Sequence, residues 1–186
     1  NDDRCVKEIK AGRITAPYYS YRGQEIIPAA ICANLEDSDY ICTIYRGIHD
    51  MLAKGFPLRP LWAELLGRAT GSCKGKGGCM HLTHPETGVM VTTGIVGSSS
   101  VIANGLGLAA KMAGNGRVSI ATFGDGATNI GSVHEALNMA AIWSLPVIFV
   151  CSNNLWGEHT WHEKVTAGQS IAHRAAAYGI NTFAVD

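Results

Sequence analysis

The sequence predicts an α/β fold, a parallel sheet with helices on both faces. Three observations predict it. Residues 146–152, PVIFVCS, form a near-continuous apolar run, the pattern of a strand covered on both sides. From residue 117 onward, strand-like and helix-like segments alternate, as they do in parallel sheets. The strand RVSIATF (117–123) runs into Gly124-Asp125-Gly126. That places a carboxylate at the carboxyl end of a strand, where open parallel sheets take their ligands.

Residues 1–15 are polar and mixed and read as a helix end. APYYSYRGQE (16–25) is a loop with three tyrosines. EIIPAAICANL (25–35) reads as a helix that must hold Pro28 in its first turn. DYICTIY (39–45) alternates and is β-branched, which predicts a strand. LRPLWAELLGRA (58–69) carries an amphipathic helical pattern. Residues 71–100 are so rich in Gly, Ser and Thr that no regular element is expected there. A long loop in a compact domain is usually functional or disordered, and the apolar insert GVMVTTGIVG argues for the former. SVIANGLGLAAKMAGN (100–115) predicts a helix of small residues able to approach another backbone closely. Helices over 132–144 and 170–179, the latter ended by Gly179, and a last strand, INTFAV, complete the alternation.

Composition narrows the function classes. The 186 residues suggest one domain, 1–186. Hydrophobic residues make up 47% and charged residues 16%, enough for a core and against disorder. Fifteen Lys and Arg balance fifteen Asp and Glu, so the basic footprint of a nucleic-acid partner is missing. No apolar run reaches the roughly 20 residues that span a bilayer. Neither a nucleic-acid nor a membrane partner is expected. The six cysteines form no C-x-x-C pair, which argues for free thiols in a reducing compartment rather than zinc or disulfide chemistry. The chain starts at Asn1 without methionine and stops at INTFAVD; we expect it to be truncated, part of a longer polypeptide.

The chemistry centres on two strand ends. Asp125 ends one strand and Asn153-Asn154 follows the next. A right-handed crossover makes these strands neighbours or near neighbours, so a carboxylate and an amide oxygen share one edge. That pair suits a hard cation such as Mg²⁺, which keeps few protein ligands and completes its shell with phosphate oxygens and water. Glycines allow close backbone approach, and the helix beginning near Gly131 aims free N–H groups at the same edge. Either motif alone is an ordinary turn; the pairing is what points to a site.

Gly124-Asp125-Gly126, then 26 residues, then Asn153-Asn154 resembles the thiamine-diphosphate signature. GDGATNIGSVHEALNMAAIWSLPVIFVCSNNLWG as a whole resembles the α subunit of the first component of 2-oxo-acid dehydrogenases, as in pyruvate, acetoin and branched-chain complexes. YRG…AKG (45–55), ELLGRATG (64–71), GKGGCMH (75–81) and GIVG (94–97) match that family in order, with GQE (23–25) upstream. The resemblance implies a thiamine-diphosphate-binding fold and the cofactors thiamine diphosphate and Mg²⁺. In that family Asp125, the Asn154 side chain and the Trp156 carbonyl correspond to the Mg²⁺ ligands. Gly126 and Ala127 correspond to backbone contacts of the diphosphate, and Tyr45 and Arg46 to its side-chain contacts. Gly94, Ile95 and Val96 correspond to residues facing the aminopyrimidine.

The resemblance also implies an activity and partners. The family decarboxylates a 2-oxo acid, or cleaves acetoin, and hands the acyl unit to a lipoyl group on an acyltransferase component. The glutamate that activates the cofactor comes from a β subunit, two α and two β chains sharing the sites. A cytoplasmic location is expected, or the mitochondrial matrix in a eukaryote. Tyr19 stands on the substrate side where many relatives have His, and Ile48, followed by His49, stands where another His is common. These changes bear on the substrate rather than the cofactor. The family's later His-Gly-His-type loop would follow Asp186, so no catalytic residue is assigned.

Other readings of the same residues are weaker. Gly105-x-Gly107-x-x-Ala110, with Asp125 twenty residues on, fits a nicotinamide-binding fingerprint, but GSSSVIAN reads as a loop and the motif needs a preceding strand. A non-catalytic fragment or scaffold of the same fold is the remaining alternative. Lys76 fails the P-loop spacing. His81 is expected to shape its loop, His134 to pack or face solvent, and His84 and His173 to be exposed. His159 and His162 read as loop residues, with a metal pair as the alternative.

Overall fold

The computed structural model describes residues 1–186 except Gln169. The chain divides into two compact units, Asn1–Ile95 and Val96–Asp186.

In the first unit, helix α1 (Asp2–Lys10) opens with Asp2 and Asp3, acidic residues that suit the positive end of the helix dipole. It buries Glu8, which pairs with Arg4 at 2.7 Å and with Arg13. Helix α2 (Ile26–Cys32) holds Pro28 in its first turn. Strand β1 (Tyr40–Ile44) is followed by α3 (Ile48–Ala53) and α4 (Leu58–Leu65). Strand β2 (Val89–Thr93) runs parallel to β1, with Ile41 opposite Val89 and Ile44 opposite Thr93. Ile41, Ile48, Met51, Leu61, Leu82 and Val89 form the core.

Strand β2 corrects the expectation that 71–100 holds no regular element. Val-Met-Val-Thr-Thr is β-branched but short, and its glycine-rich flanks hide it. Pairing with β1 makes it a strand. Gly88 enters it at φ +74°, with no room for a side chain against the Asp39 carbonyl.

In the second unit, helix α5 (Ser98–Ala113) precedes strand β3 (Ser119–Gly124). A single 3-10 turn, Asp125–Asn129, leads into α6 (Gly131–Ile142), and strand β4 (Val147–Ser152) follows. A two-residue turn then joins β5 (Trp156–Gly157) to β6 (Thr160–Trp161), and α7 (Ile171–Ala176) comes last. β3 and β4 are parallel and in unbroken register from Ser119–Val147 to Gly124–Ser152. Asn104 of α5 donates to the Ala136 carbonyl of α6 at 2.8 Å, and Ser99 donates to the Thr122 carbonyl of β3 at 2.8 Å. Gly107 lies against Val147, where a Cβ would come within 2.5 Å of a side-chain carbon. Small residues thus let α5 sit close to the sheet.

Three expectations are corrected here. SSSVIAN, following the N-cap Gly97, is the first half of α5 and not a loop, and Gly105 and Gly107 lie inside that helix as the 100–115 pattern has them. A dinucleotide fingerprint belongs at a strand-to-helix turn, and this placement removes that reading. INTFAV is not a strand, and Phe183 and Val185 are 87% and 94% exposed: an extended segment without a ladder neighbour is not a strand. β4 is only partly covered, with Ile148 51% exposed, so its apolar run is not buried on both faces as expected. No helix among the described residues is long and apolar enough to cross a membrane. All six cysteines are free.

Candidate functional site

In the second unit the register of β3 and β4 sets the site. Gly124 pairs with Ser152, so Asp125 and Asn153-Asn154 leave neighbouring strand ends side by side. Asp125 opens the 3-10 turn with its side chain 2% exposed. Its Oδ2 is buried and accepts no hydrogen bond. A bare buried carboxylate oxygen is expensive unless a charge or donor meets it.

The turn around it is held firmly. Thr128 Oγ1 donates to the Asp125 carbonyl at 2.7 Å. Arg174 of α7 donates to the Thr128 carbonyl at 3.1 Å, to Asn129 Oδ1 at 2.8 Å and to the Ala167 carbonyl at 2.8 Å. Gly126 faces Gly157 of the hairpin, and a Cβ on Gly126 would lie 3.2 Å from the Gly157 Cα. The two glycines therefore serve a close approach of turn and hairpin.

Asn153 and Asn154 make successive Asx turns, accepting from Leu155 N–H at 3.3 Å and from Trp156 N–H at 3.1 Å. The Asn154 oxygen keeps a second lone pair. Trp156, 50% exposed, packs edge-on against Trp161 with ring centroids 5.2 Å apart. Just past the hairpin, His162 Nδ1 lies 3.3 Å from Asp125 Oδ2. His159, in the hairpin turn, is 93% exposed. The two histidines part company, so they are not a metal pair.

In the first unit Tyr45 and Arg46 follow β1. Tyr19 and Tyr45 pack with ring centroids 4.7 Å apart, which brings together two residues singled out from sequence. Arg46 Nε is buried without a hydrogen-bond partner, a donor suited to an anion. Gly94 is backed by the His81 ring, whose Cε1 lies 3.2 Å from where a Cβ would sit. Ile95 is 70% exposed. Val96, which opens the second unit, is 43% exposed. Ile48 belongs to the core, and His49 stacks on Tyr21 at 4.9 Å. His84 is not exposed as expected: its ring packs on Phe56 and its Nδ1 meets Thr87 Oγ1 at 3.1 Å.

A sequence profile described as dehydrogenase E1 component matches residues 1–186. The chain belongs to the dehydrogenase E1 component family. It is 43% identical over 185 residues to the α subunit of acetoin:2,6-dichlorophenolindophenol oxidoreductase from Bacillus subtilis, covering 100% of this chain and 56% of that one. It is 39% identical over 186 residues to the pyruvate dehydrogenase E1 component α subunit of Zymomonas mobilis, covering 100% and 52%. The corresponding Rhizobium meliloti subunit is 41% identical over 166 residues, covering 89% and 48%. The chain thus spans about half the length of these curated relatives. A crystallised protein from Mycobacterium smegmatis, described as a thiamin diphosphate-dependent enzyme, shares the fold with a TM-score of 0.53 at 21% identity, over 88% of this chain and 26% of that one.

Two residues that shape the glycine-rich turns of this chain escape a reading of sequence alone, Glu64 and Arg174, and the meeting of His162 with Asp125 escapes it too. Glu64 is completely buried and accepts from the amides of Cys73, Gly75 and Gly77 at 2.8, 2.8 and 2.6 Å. The loop around Lys76 has therefore spent these amides on an internal carboxylate and cannot offer them to a phosphate. A helical Glu in an otherwise apolar stretch was the available signal for Glu64. Arg174 had none, and nothing tied His162 to Asp125, because the partners lie 45 and 37 positions away.

Burial holds three thiols of this chain, Cys42, Cys79 and Cys151, in the unreactive protonated form. Burial pushes Cys42 up to about 12, and burial followed by the nearby Asp125 charge pushes Cys151 up to about 12. Burial also raises Cys79 to about 11. Such thiols stay protonated at neutral pH, and only the thiolate reacts readily.

Proposed function

We propose that this chain is the cofactor-binding part of the α subunit of a thiamine-diphosphate-dependent dehydrogenase. Its substrate class is a 2-oxo acid such as pyruvate, or acetoin, and the acyl unit passes to a lipoyl carrier. One observation carries the reading: Asp125 presents a buried oxygen without a hydrogen bond at the end of β3, beside the Asn154–Trp156 loop at the end of β4. That donor set fits a hard divalent cation, with room left for diphosphate oxygens. The names of the acetoin- and pyruvate-dehydrogenase relatives support the substrate class.

Asp125, the Asn154 side chain and the Trp156 carbonyl would hold Mg²⁺. The backbone amides of Gly126 and Ala127, with Tyr45 and Arg46, would take the diphosphate, the guanidinium giving charge-assisted hydrogen bonds. Gly94, Ile95 and Val96 would face the aminopyrimidine, where exposed apolar side chains can exclude water. Tyr19, packed on Tyr45, would meet the substrate. When bound, thiamine diphosphate supplies the carbon nucleophile and the electron sink that decarboxylation needs.

Residues 1–186 would act as one cofactor-binding domain. A β subunit would complete the site in an assembly of two α and two β chains, and a lipoyl-bearing acyltransferase would receive the product. A cytoplasmic or matrix location suits this role. A scaffold that had lost turnover is the second reading, and the orphaned Asp125 oxygen stands against it, since a pure scaffold has no need of it.

Calorimetric titration of thiamine diphosphate into the full-length protein with its β partner, with and without Mg²⁺, tests the proposal. Mg²⁺-dependent binding that weakens at least ~100-fold in Asp125→Ala is the expected result. Binding indifferent to both Mg²⁺ and Asp125 would overturn it.

A further inference from the structure

His162 stands out once the cation site is drawn. Its Nδ1 lies 3.3 Å from Asp125 Oδ2 with the ring 15% exposed and the carboxylate 2% exposed. Neither atom has a hydrogen-bond partner among the described residues. The separation suits an ion pair, yet the two atoms are not aligned to share a proton. Two buried polar atoms thus lie side by side with their hydrogen-bonding capacity unspent.

The position is built, not incidental. The β5–β6 hairpin pairs Trp156 with Trp161 and Gly157 with Thr160, so it returns the chain to where the strand-end loop departed. The His162 N–H donates to the Leu155 carbonyl at 2.9 Å, between Asn154 and Trp156. The His162 carbonyl accepts from Val165 and Thr166 N–H at 3.1 and 3.0 Å. The backbone of His162 is thus fixed on both sides, and the Gly126–Gly157 approach presses the hairpin onto the Asp125 turn.

Two ligands bound cis on an octahedral ion, each about 2.1 Å from it, lie about 3.0 Å apart. The observed 3.3 Å needs only a few tenths of an ångström of closure. We propose that His162 Nδ1 is a ligand of the divalent cation held by Asp125, filling a position that would otherwise take water. This rests on the cation-binding part of the proposed function. An imidazole nitrogen among oxygen ligands shifts preference away from Mg²⁺ and toward borderline ions, in the order Mn²⁺ then Co²⁺.

The test uses the full-length protein with its β partner and thiamine diphosphate, loaded with Mn²⁺ or Co²⁺. Pulsed electron paramagnetic resonance on the Mn²⁺ form is expected to show a directly bound imidazole nitrogen. That coupling should vanish in His162→Gln and persist in His159→Gln. Competition titrations should show the Co²⁺-over-Mg²⁺ preference falling about tenfold in His162→Gln. Mn²⁺ bound in an Asp125-dependent manner with no nitrogen coupling overturns the role of His162 and leaves the cation site standing. Mn²⁺ binding that ignores Asp125→Asn, or no binding, overturns both. Should His162→Gln lower stability, the nitrogen coupling in the unaltered protein still decides.

Discussion

Two glycine-rich turns in this protein each surround a buried carboxylate, and they resolve it in opposite ways. Glu64 reaches from α4 into the 71–78 loop and is met by three backbone N–H groups. Asp125 starts its own turn and keeps one oxygen without a hydrogen bond, with His162 Nδ1 3.3 Å away. Both loops carry the residue types of an anion or cation site, but the first is saturated by its own chain. A buried polar group with its hydrogen bonds made is a structural member. One left bare in an otherwise satisfied turn is a candidate for function. Glycine content does not tell them apart; the direction of the amides does.

The sharpest way to break this comparison is to remove each carboxylate and measure stability by urea unfolding. Glu64→Ala is expected to cost about 3–5 kcal/mol, because three buried amides lose a charged acceptor together. Asp125→Asn should stay within about 1 kcal/mol of the parent, or gain, since the lost oxygen makes no hydrogen bond. Equal losses at both positions would erase the distinction.

The glycines sharpen it next. Gly126→Ala drives a Cβ to 3.2 Å from the Gly157 backbone and should cost about 1–2 kcal/mol, with weaker cation binding as the hairpin lifts. Gly124→Ala has nothing within 4 Å of its Cβ and should change stability by no more than about 0.5 kcal/mol. Arg174→Ala, which frees oxygens of buried Thr128 and exposed Asn129, should cost about 1–2 kcal/mol. Its expected signature is faster amide exchange in the 125–129 turn.

The smallest effect is the alkaline one. Cys42 and Cys151 are raised from an ordinary 9.0 to about 12. Below pH 9 the thiols are neutral in folded and unfolded chains alike and this contribution to stability is complete. As pH climbs toward 12 the unfolded chain ionises first, and stability falls. The Cys→Ala variants should show a shallower loss above pH 9. Iodoacetamide should label both thiols slowly at pH 8, and rapid labelling would show that the strands open.

Local patterns carried most of the legible information. The β-branched run at 117–123 and the apolar run at 147–152 announce β3 and β4, and their parallel pairing follows from the helix between them. The Gly124-Asp125-Gly126 and Asn153-Asn154 motifs announce the site because both sit within two residues of a strand end. β2 was invisible because its five residues show their character only against β1. The final INTFAV failed in the opposite sense: its strand propensity found no ladder.

What the sequence by itself determined is the α/β alternation, the family, and the residues proposed to hold a cation. Those depend on local period, on motif spacing and on residue chemistry. Tertiary structure alone decided which carboxylate is saturated, which histidine of 159 and 162 meets Asp125, and that Arg174 clamps the site's turn. Each of these joins residues far apart in the chain. Such contacts are set by backbone direction and close packing, and a one-dimensional pattern does not record them.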